Sequence, residues 1–185
     1  MVKEVLDRAE GAMKKGVESV GRDFAGVRTG RASAALLQGI TVECYGSMTP
    51  LQQVATVATP ETRLITIQPW DPNLVAAIEK AILKSDLGIT PSSDGRAIRI
   101  AIPPLTEERR KELVRVVRRI AKEGRVAIRN LRRDANEKLK ALEKQKKITE
   151  DDLKKGSESV QKLTDKYIKE LEMALTTKEK EILEF

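Results

Sequence analysis

Apolar residues return every three or four positions through three long stretches of this chain, and no other feature constrains its fold as strongly. In the first 28 residues Leu6, Ala9, Met13, Val17, Val20, Phe24 and Val27 keep that step, the seam of a coiled coil or helix bundle. Gly11, Gly16, Gly21 and Gly26 interrupt the stretch, each lowering its helix propensity by up to about 1 kcal/mol. A second seam follows "IPPL" and comprises Leu113, Val117, Ile120, Ile128, Leu131, Ala135 and Leu142. Thr106 is the expected N-cap of that helix, Glu107 and Glu108 sit where the helix dipole favours acids, and the pattern runs to about residue 145. Gly124 lies on the same stripe, where another helix could approach closely. A third helix opens at "ITEDDLKK", with Thr149 and Asp152 approximating a capping box, and Leu153, Val160, Leu163, Tyr167, Leu171, Ala174 and Ile182 extend its seam. Three long helices joined by short turns imply a bundle.

The middle of the chain has a different period. "ITVECYG" alternates apolar and polar, "RLITIQP" and "AIRIAI" are rich in β-branched residues, and "SSDG" carries Asp94-Gly95 turn chemistry. Between the strands, Asp71 and Pro72 open "DPNLVAAIEKAILKSDLG", a predicted helix with an N-cap, proline at its first position and Gly88 as its stop. The expected fold is therefore α+β: a bundle of residues 1–30 and 105–185, with a small β/α/β domain, 31–104, inserted between its first two helices. The chain crosses between them at "RTGRAS" and "IPPL". Gly30 is permissive and Pro103-Pro104 stiff, so residues 29–33 and 102–106, with Gly30, Arg31, Pro103, Pro104 and Leu105 at their centre, form a candidate hinge.

Charge is spread unevenly over this framework. The chain has 35 Lys and Arg against 28 Asp and Glu, and its net +7 suggests an anionic partner. Residues 106–142 hold 13 of those bases against 6 acids, while 31–104 are balanced at 6 against 6. On a wheel of about 100° per residue with Leu113 at zero, the apolar set of the second helix lies within roughly 80° of zero. Lys111, Arg115, Arg118, Lys122, Arg125, Arg129, Arg132, Arg133 and Lys140 all fall between roughly 100° and 200°, and its acids Glu112, Glu123, Asp134 and Glu137 occupy a separate flank. One side of this helix is core and the opposite side a cationic rail. An ordinary solvated face mixes signs, because like charges four residues apart repel, as Arg125, Arg129 and Arg133 do here. Such a rail points to an external anion. Arg118 to Lys140 spans about 33 Å at the helical rise, comparable to a turn of nucleic-acid duplex. The five aromatic residues, Phe24, Tyr45, Trp70, Tyr167 and Phe185, all lie off the rail, so single-strand stacking platforms are missing and structured RNA or duplex held through phosphates is favoured.

Catalysis finds few footholds. With no histidine and one cysteine, the usual zinc sites, Cys-His dyads and Ser-His-Asp triads are excluded. Neither phosphate-binding glycine motif occurs, so no enzyme activity and no cofactor are expected. "EDD" at 150–152 reads as the acidic first turn of a helix, Cys44 as a small buried residue, and Trp70 as a packing residue. No run approaches eighteen apolar residues, which gives no expectation of a membrane. A lone cysteine suits a reducing cytosol. Two further classes stay open: an adaptor whose bundle binds an acidic protein helix, which would place apolar residues beside the charges, and a general RNA chaperone.

"RTGRAS", "VECYG", "PWD", "EKAILKSDLG", "PPLTEERRKELV", "RVAIRNLRRDANEKLK" and "QKLTDKYIKELE", in this order, resemble the bacterial ribosome recycling factor family over essentially the whole chain. The resemblance implies an L of transfer-RNA size with a flexible elbow. It implies a monomeric cytoplasmic factor that binds the 70S ribosome after peptide release, contacts large-subunit rRNA through its bundle, and acts with elongation factor G, which supplies GTP, to split the subunits. The family's "RNxRR" arginines correspond to Arg129, Arg132 and Arg133, with Arg132 foremost. Lys122, Arg118 and Arg125 complete the expected RNA-binding set. Cys44 stands where the family's "VEYYG" would place a tyrosine.

Overall fold

The computed structural model describes residues 1–184, so Phe185 lies outside the described residues. Its elements in chain order are α1 (Val2–Ala25), β1 (Thr41–Cys44), β2 (Ser47–Pro50), β3 (Ala55–Glu61), β4 (Leu64–Pro69), α2 (Val75–Lys84), β5 (Ser92–Ser93), β6 (Ile98–Ala101), α3 (Glu107–Lys144) and α4 (Glu150–Glu184). The chain divides into two compact units, Met1–Arg28 with Glu107–Glu184 and Thr29–Thr106. The architecture is α+β: long helices in one unit, and strands that pair only antiparallel in the other.

The helical unit packs α1, α3 and α4 on the three seams. Met13, Val20 and Phe24 of α1, Leu113, Val117 and Ile128 of α3, and Val160, Tyr167 and Leu171 of α4 are buried. Two glycines let the helices close. A Cβ at Gly124 would stand 2.6 Å from Val20 Cγ2 and 2.8 Å from Leu171 Cδ1, so all three helices meet at this point. A Cβ at Gly156 would meet Leu139 Cδ1 at 3.0 Å, within the core cluster of Ala9, Ala135, Leu139 and Val160. Gly11, Gly16 and Gly21 have open space around them, and α1 holds despite their low propensity. It stops at Ala25, so Val27, placed on the seam by spacing, falls beyond its end. The α3–α4 connection ends in a reciprocal capping box: Asp152 N–H donates to Thr149 Oγ1 (3.0 Å) and Thr149 N–H to Asp152 Oδ2 (3.1 Å). Hydrogen bonds to the carboxylate from Thr149, first from its backbone N–H and then from its side chain, hold the Asp152 carboxyl below the usual carboxylate range. Buried Tyr167 donates to Glu10 Oε1 at 2.9 Å, tying α4 to α1.

In the other unit β3-β4-β6-β5 form one sheet and β1-β2 a hairpin. Ile65 and Ile67 of β4 pair across the ladder with Ile100 and Ile98 of β6. Period-2 alternation puts all four on one face, fully buried against Ile78 and Ile82 of α2. Sequence patterning found three of the six strands. "ECYG" ends β1 at Cys44; Tyr45 (φ 48) and Gly46 (φ 86) form the left-handed two-residue turn into β2. β2, β3 and β5 carry exposed Thr, Ser and Pro with little apolar alternation, so their pairing is set by the ladder partners. Asp71 caps a 3₁₀ turn, Pro72–Leu74, that leads into α2; the helix then ends at Lys84, four residues before Gly88.

The segments leading into and out of this unit are held at its β3–β4 turn, where Ala32 N–H donates to Thr62 O (2.7 Å) and Ile102 N–H to Arg63 O (2.8 Å). Gly30 adopts φ +77, and a Cβ there would stand 3.1 Å from Leu105 Cγ.

Candidate nucleic-acid interface

The rail is a property of α3, whose 38 residues keep one stripe apolar and leave the opposite side to arginine and lysine. Folding divides that opposite side into two rows. Arg118, Arg125 and Arg132 recur every seven residues on the edge nearest α4, and each finds a partner on it. Arg118 Nε lies 2.7 Å from Glu179 Oε1, and Arg125 NH1 lies 2.5 Å from Glu172 Oε1. The hydrogen bond and charge of Glu179 hold the Arg118 guanidinium above its ordinary range. Arg132 NH1 donates instead to the neutral Gln161 Oε1 at 3.3 Å.

The outer row comprises Arg115, Lys122, Arg129, Arg133 and Lys140. All five are exposed and lack ion-pair partners among the described residues. Lys111 pairs with Glu107 at 3.4 Å. Of the six arginines and lysines named for RNA contact, Lys122, Arg129 and Arg133 therefore project with charge uncompensated. Arg132 is half-buried and bonded to a neutral amide, whereas Arg118 and Arg125 pair with carboxylates of α4.

Sequence reasoning read α3 alone and so missed Glu172, Glu179 and Gln161. The available signal was their spacing: Asp165, Glu172 and Glu179 recur every seven residues, as Arg118, Arg125 and Arg132 do. It also missed Val126, which is 47% exposed beside Lys122 and Arg129.

Other candidate groups resolve without chemistry. Among the described residues no His, Cys, Asp or Glu cluster could hold a metal ion. Asp152 of "EDD" serves the capping box, and Asp151 pairs with Lys155 at 3.0 Å. Cys44 is half-buried at the edge of the core. Trp70 departs from its expected packing role: it is 67% exposed and donates Nε1–H to Thr56 Oγ1 at 3.1 Å. No helix is long and apolar enough to cross a membrane among the described residues.

Known proteins resemble this chain over nearly its whole length. Residues 20–183 match the family model described as ribosome recycling factor. The ribosome-recycling factor of Syntrophomonas wolfei is 56% identical over 184 residues, covering 100% of both chains. That of Carboxydothermus hydrogenoformans is 56% identical over 183 residues, covering 99% of each. The solution structure of a ribosome recycling factor superposes with TM-score 0.73 at 47% identity, covering 100% of this chain and 98% of that one. A second structure, at 50% identity and TM-score 0.62 over 99% of each chain, comes from models of the T. thermophilus ribosome recycling factor and E. coli elongation factor G bound to the E. coli post-termination complex. With the family model spanning nearly all of it and full-length relatives more than half identical, this chain belongs to the ribosome recycling factor family.

Proposed function

We propose that the chain binds the post-termination ribosome and, with elongation factor G and GTP, separates it into subunits. The T. thermophilus relative has been placed with elongation factor G on such a complex. In this reading the helical unit docks on large-subunit rRNA, with the uncompensated row of Lys122, Arg129 and Arg133 joined by Arg132 against phosphates. That row is the observation that carries the proposal: five exposed cations on one helix face lack partners among the described residues, although mixing signs would stabilise the helix. Contacts of this kind fix position with little base readout and weaken steeply with salt.

With no glycine-rich nucleotide-binding motif, the chain acts without catalysis and draws work from the GTPase. The unit Thr29–Thr106 turns on crossings at Gly30–Arg31 and Pro103–Leu105, and the push it receives reaches the docked bundle. The factor acts as a cytoplasmic monomer.

Sedimentation of post-termination ribosomes with the protein, elongation factor G and GTP, omitting each in turn, tests the whole reading. Subunits should appear only with all three, and Arg132→Ala should abolish them while leaving the helical circular dichroism intact. Intact ribosomes alongside equally tight binding to free structured RNA would favour an RNA chaperone instead. Gly30→Val, disfavoured at φ +77 and crowded by Leu105, should preserve ribosome binding and lower splitting. Unchanged splitting would remove this crossing from the mechanism. Exposed Val126 favours one second reading, a protein contact beside the rail, and Val126→Ser should weaken subunit binding if that holds.

A further inference from the structure

Helices α3 and α4 run antiparallel, and their charged edges face each other in steps of seven residues. Arg118 meets Glu179, and Arg125, one step on, meets Glu172. The next step of the same ladder pairs Arg132 with Asp165, but that ion pair does not form. Gln161 stands between them, accepting from Arg132 NH1 at 3.3 Å and donating Nε2–H to Asp165 Oδ1 at 2.9 Å. The two neighbours fix the amide's orientation, because a flipped amide would set NH₂ against guanidinium and oxygen against carboxylate.

The difference decides what each arginine offers a phosphate. A phosphate approaching Arg118 or Arg125 also approaches a carboxylate within 3 Å of the guanidinium, so attraction and repulsion largely cancel. Gln161 is neutral and satisfies one N–H of Arg132, so no carboxylate among the described residues pairs with this guanidinium, which lies on the same helix within one turn of exposed Arg129 and Arg133. We propose that α4 selects which rail arginines engage RNA: Glu172 and Glu179 withhold Arg125 and Arg118, and Gln161 presents Arg132. Gln161 and Glu172 are thus specificity-determining residues that sit on a helix without rail cations of its own. The assignment rests on the reading of the rail as an RNA-docking surface.

The test is equilibrium binding of the full chain to purified large ribosomal subunits at several salt concentrations. Each phosphate contact contributes about −0.7 to −0.9 to the slope of log K against log salt. Gln161→Glu creates an ion pair at Arg132; affinity should fall about tenfold and the slope flatten by about 1. Glu172→Gln releases Arg125; affinity should rise severalfold and the slope steepen by about 1. Lys180→Gln, exposed near the end of α4, changes net charge as Gln161→Glu does and should shift binding less than twofold. All are exposed or half-exposed positions, and circular dichroism checks the fold.

Equal effects of Gln161→Glu and Lys180→Gln would reduce the proposal to bulk charge and overturn it. Weaker binding by Glu172→Gln would show that Glu172 aims Arg125 at RNA, which also overturns it. Arg132→Ala in the same series separates the two levels. If it weakens binding and Gln161→Glu does not, only the selection by α4 fails; if it binds as wild type, the rail itself fails and this assignment with it.

Discussion

The two compact units solve the problem of a small core in opposite ways. The unit Thr29–Thr106 is electrically balanced and fills its centre with bulk: Ile65, Ile67, Ile78, Ile82, Ile98 and Ile100 are all fully buried. The helical unit gains closeness by omission, placing Gly124 and Gly156 where α1, α3 and α4 approach and keeping small alanines at Ala9 and Ala135. A notch-packed bundle leaves whole helix faces outside, and one such face collects the uncompensated charge. The contrast is that the balanced unit closes around bulky aliphatic side chains, isoleucine above all, whereas the bundle adds glycine notches to large buried side chains such as Met13, Ile128 and Leu171 and carries the rail.

Substitutions can break or sharpen this contrast. Ile78→Ala should cost most, about 3 kcal/mol, because a fully buried isoleucine leaves a cavity in a filled centre. Hydrogen exchange should rise across β4 and β6 and stay unchanged in α3. A loss spread evenly over both units would erase the distinction. Next comes Gly124→Ala, whose methyl meets Val20 and Leu171 below 3 Å. Denaturant unfolding of the bundle should show a loss of about 2 kcal/mol, and a neutral result would mean the notch is not a fitted contact. Thr149→Ala removes one arm of the capping box and should cost about 1 kcal/mol. In the other direction, Gly21→Ala, with open space around it, should stabilise α1 by about 0.5 to 1 kcal/mol. Destabilisation there would point to a packing role for a glycine that contacts nothing. The smallest effect is acidic. Because folding lowers the Asp152 carboxyl pKa, its contribution is present above the unfolded value and fades as pH falls through the folded one. Asp152→Asn removes the titrating carboxyl and should flatten that part of the thermal stability curve between neutral pH and strong acid.

Much of the bundle was legible because three seams and a capping box are local patterns. Gly124 was legible too, as a small residue on an apolar stripe. The strand unit was half legible: β4 and β6 announce themselves by alternating isoleucines, whereas β2, β3 and β5 owe their conformation to partners far along the chain. The rail's position could be drawn on a single helical wheel. Its division into withheld and available arginines could not, since the deciding groups, Glu172, Glu179 and Gln161, lie 29 to 61 residues away in sequence.

The ladder's seven-residue repeat also poses a registration problem. Sliding α4 by one repeat along α3 would set Arg118 against Glu172, Arg125 against Asp165 and Arg132 against Glu158, satisfying every inner-row arginine with a carboxylate. Electrostatics alone would accept that mispairing. The apolar notches do not, because the slide moves Leu171 away from Gly124, brings Thr164 opposite it, and takes Gly156 from under Leu139. The two glycines therefore act as alignment marks for a hairpin of helices whose charges read the same at more than one offset.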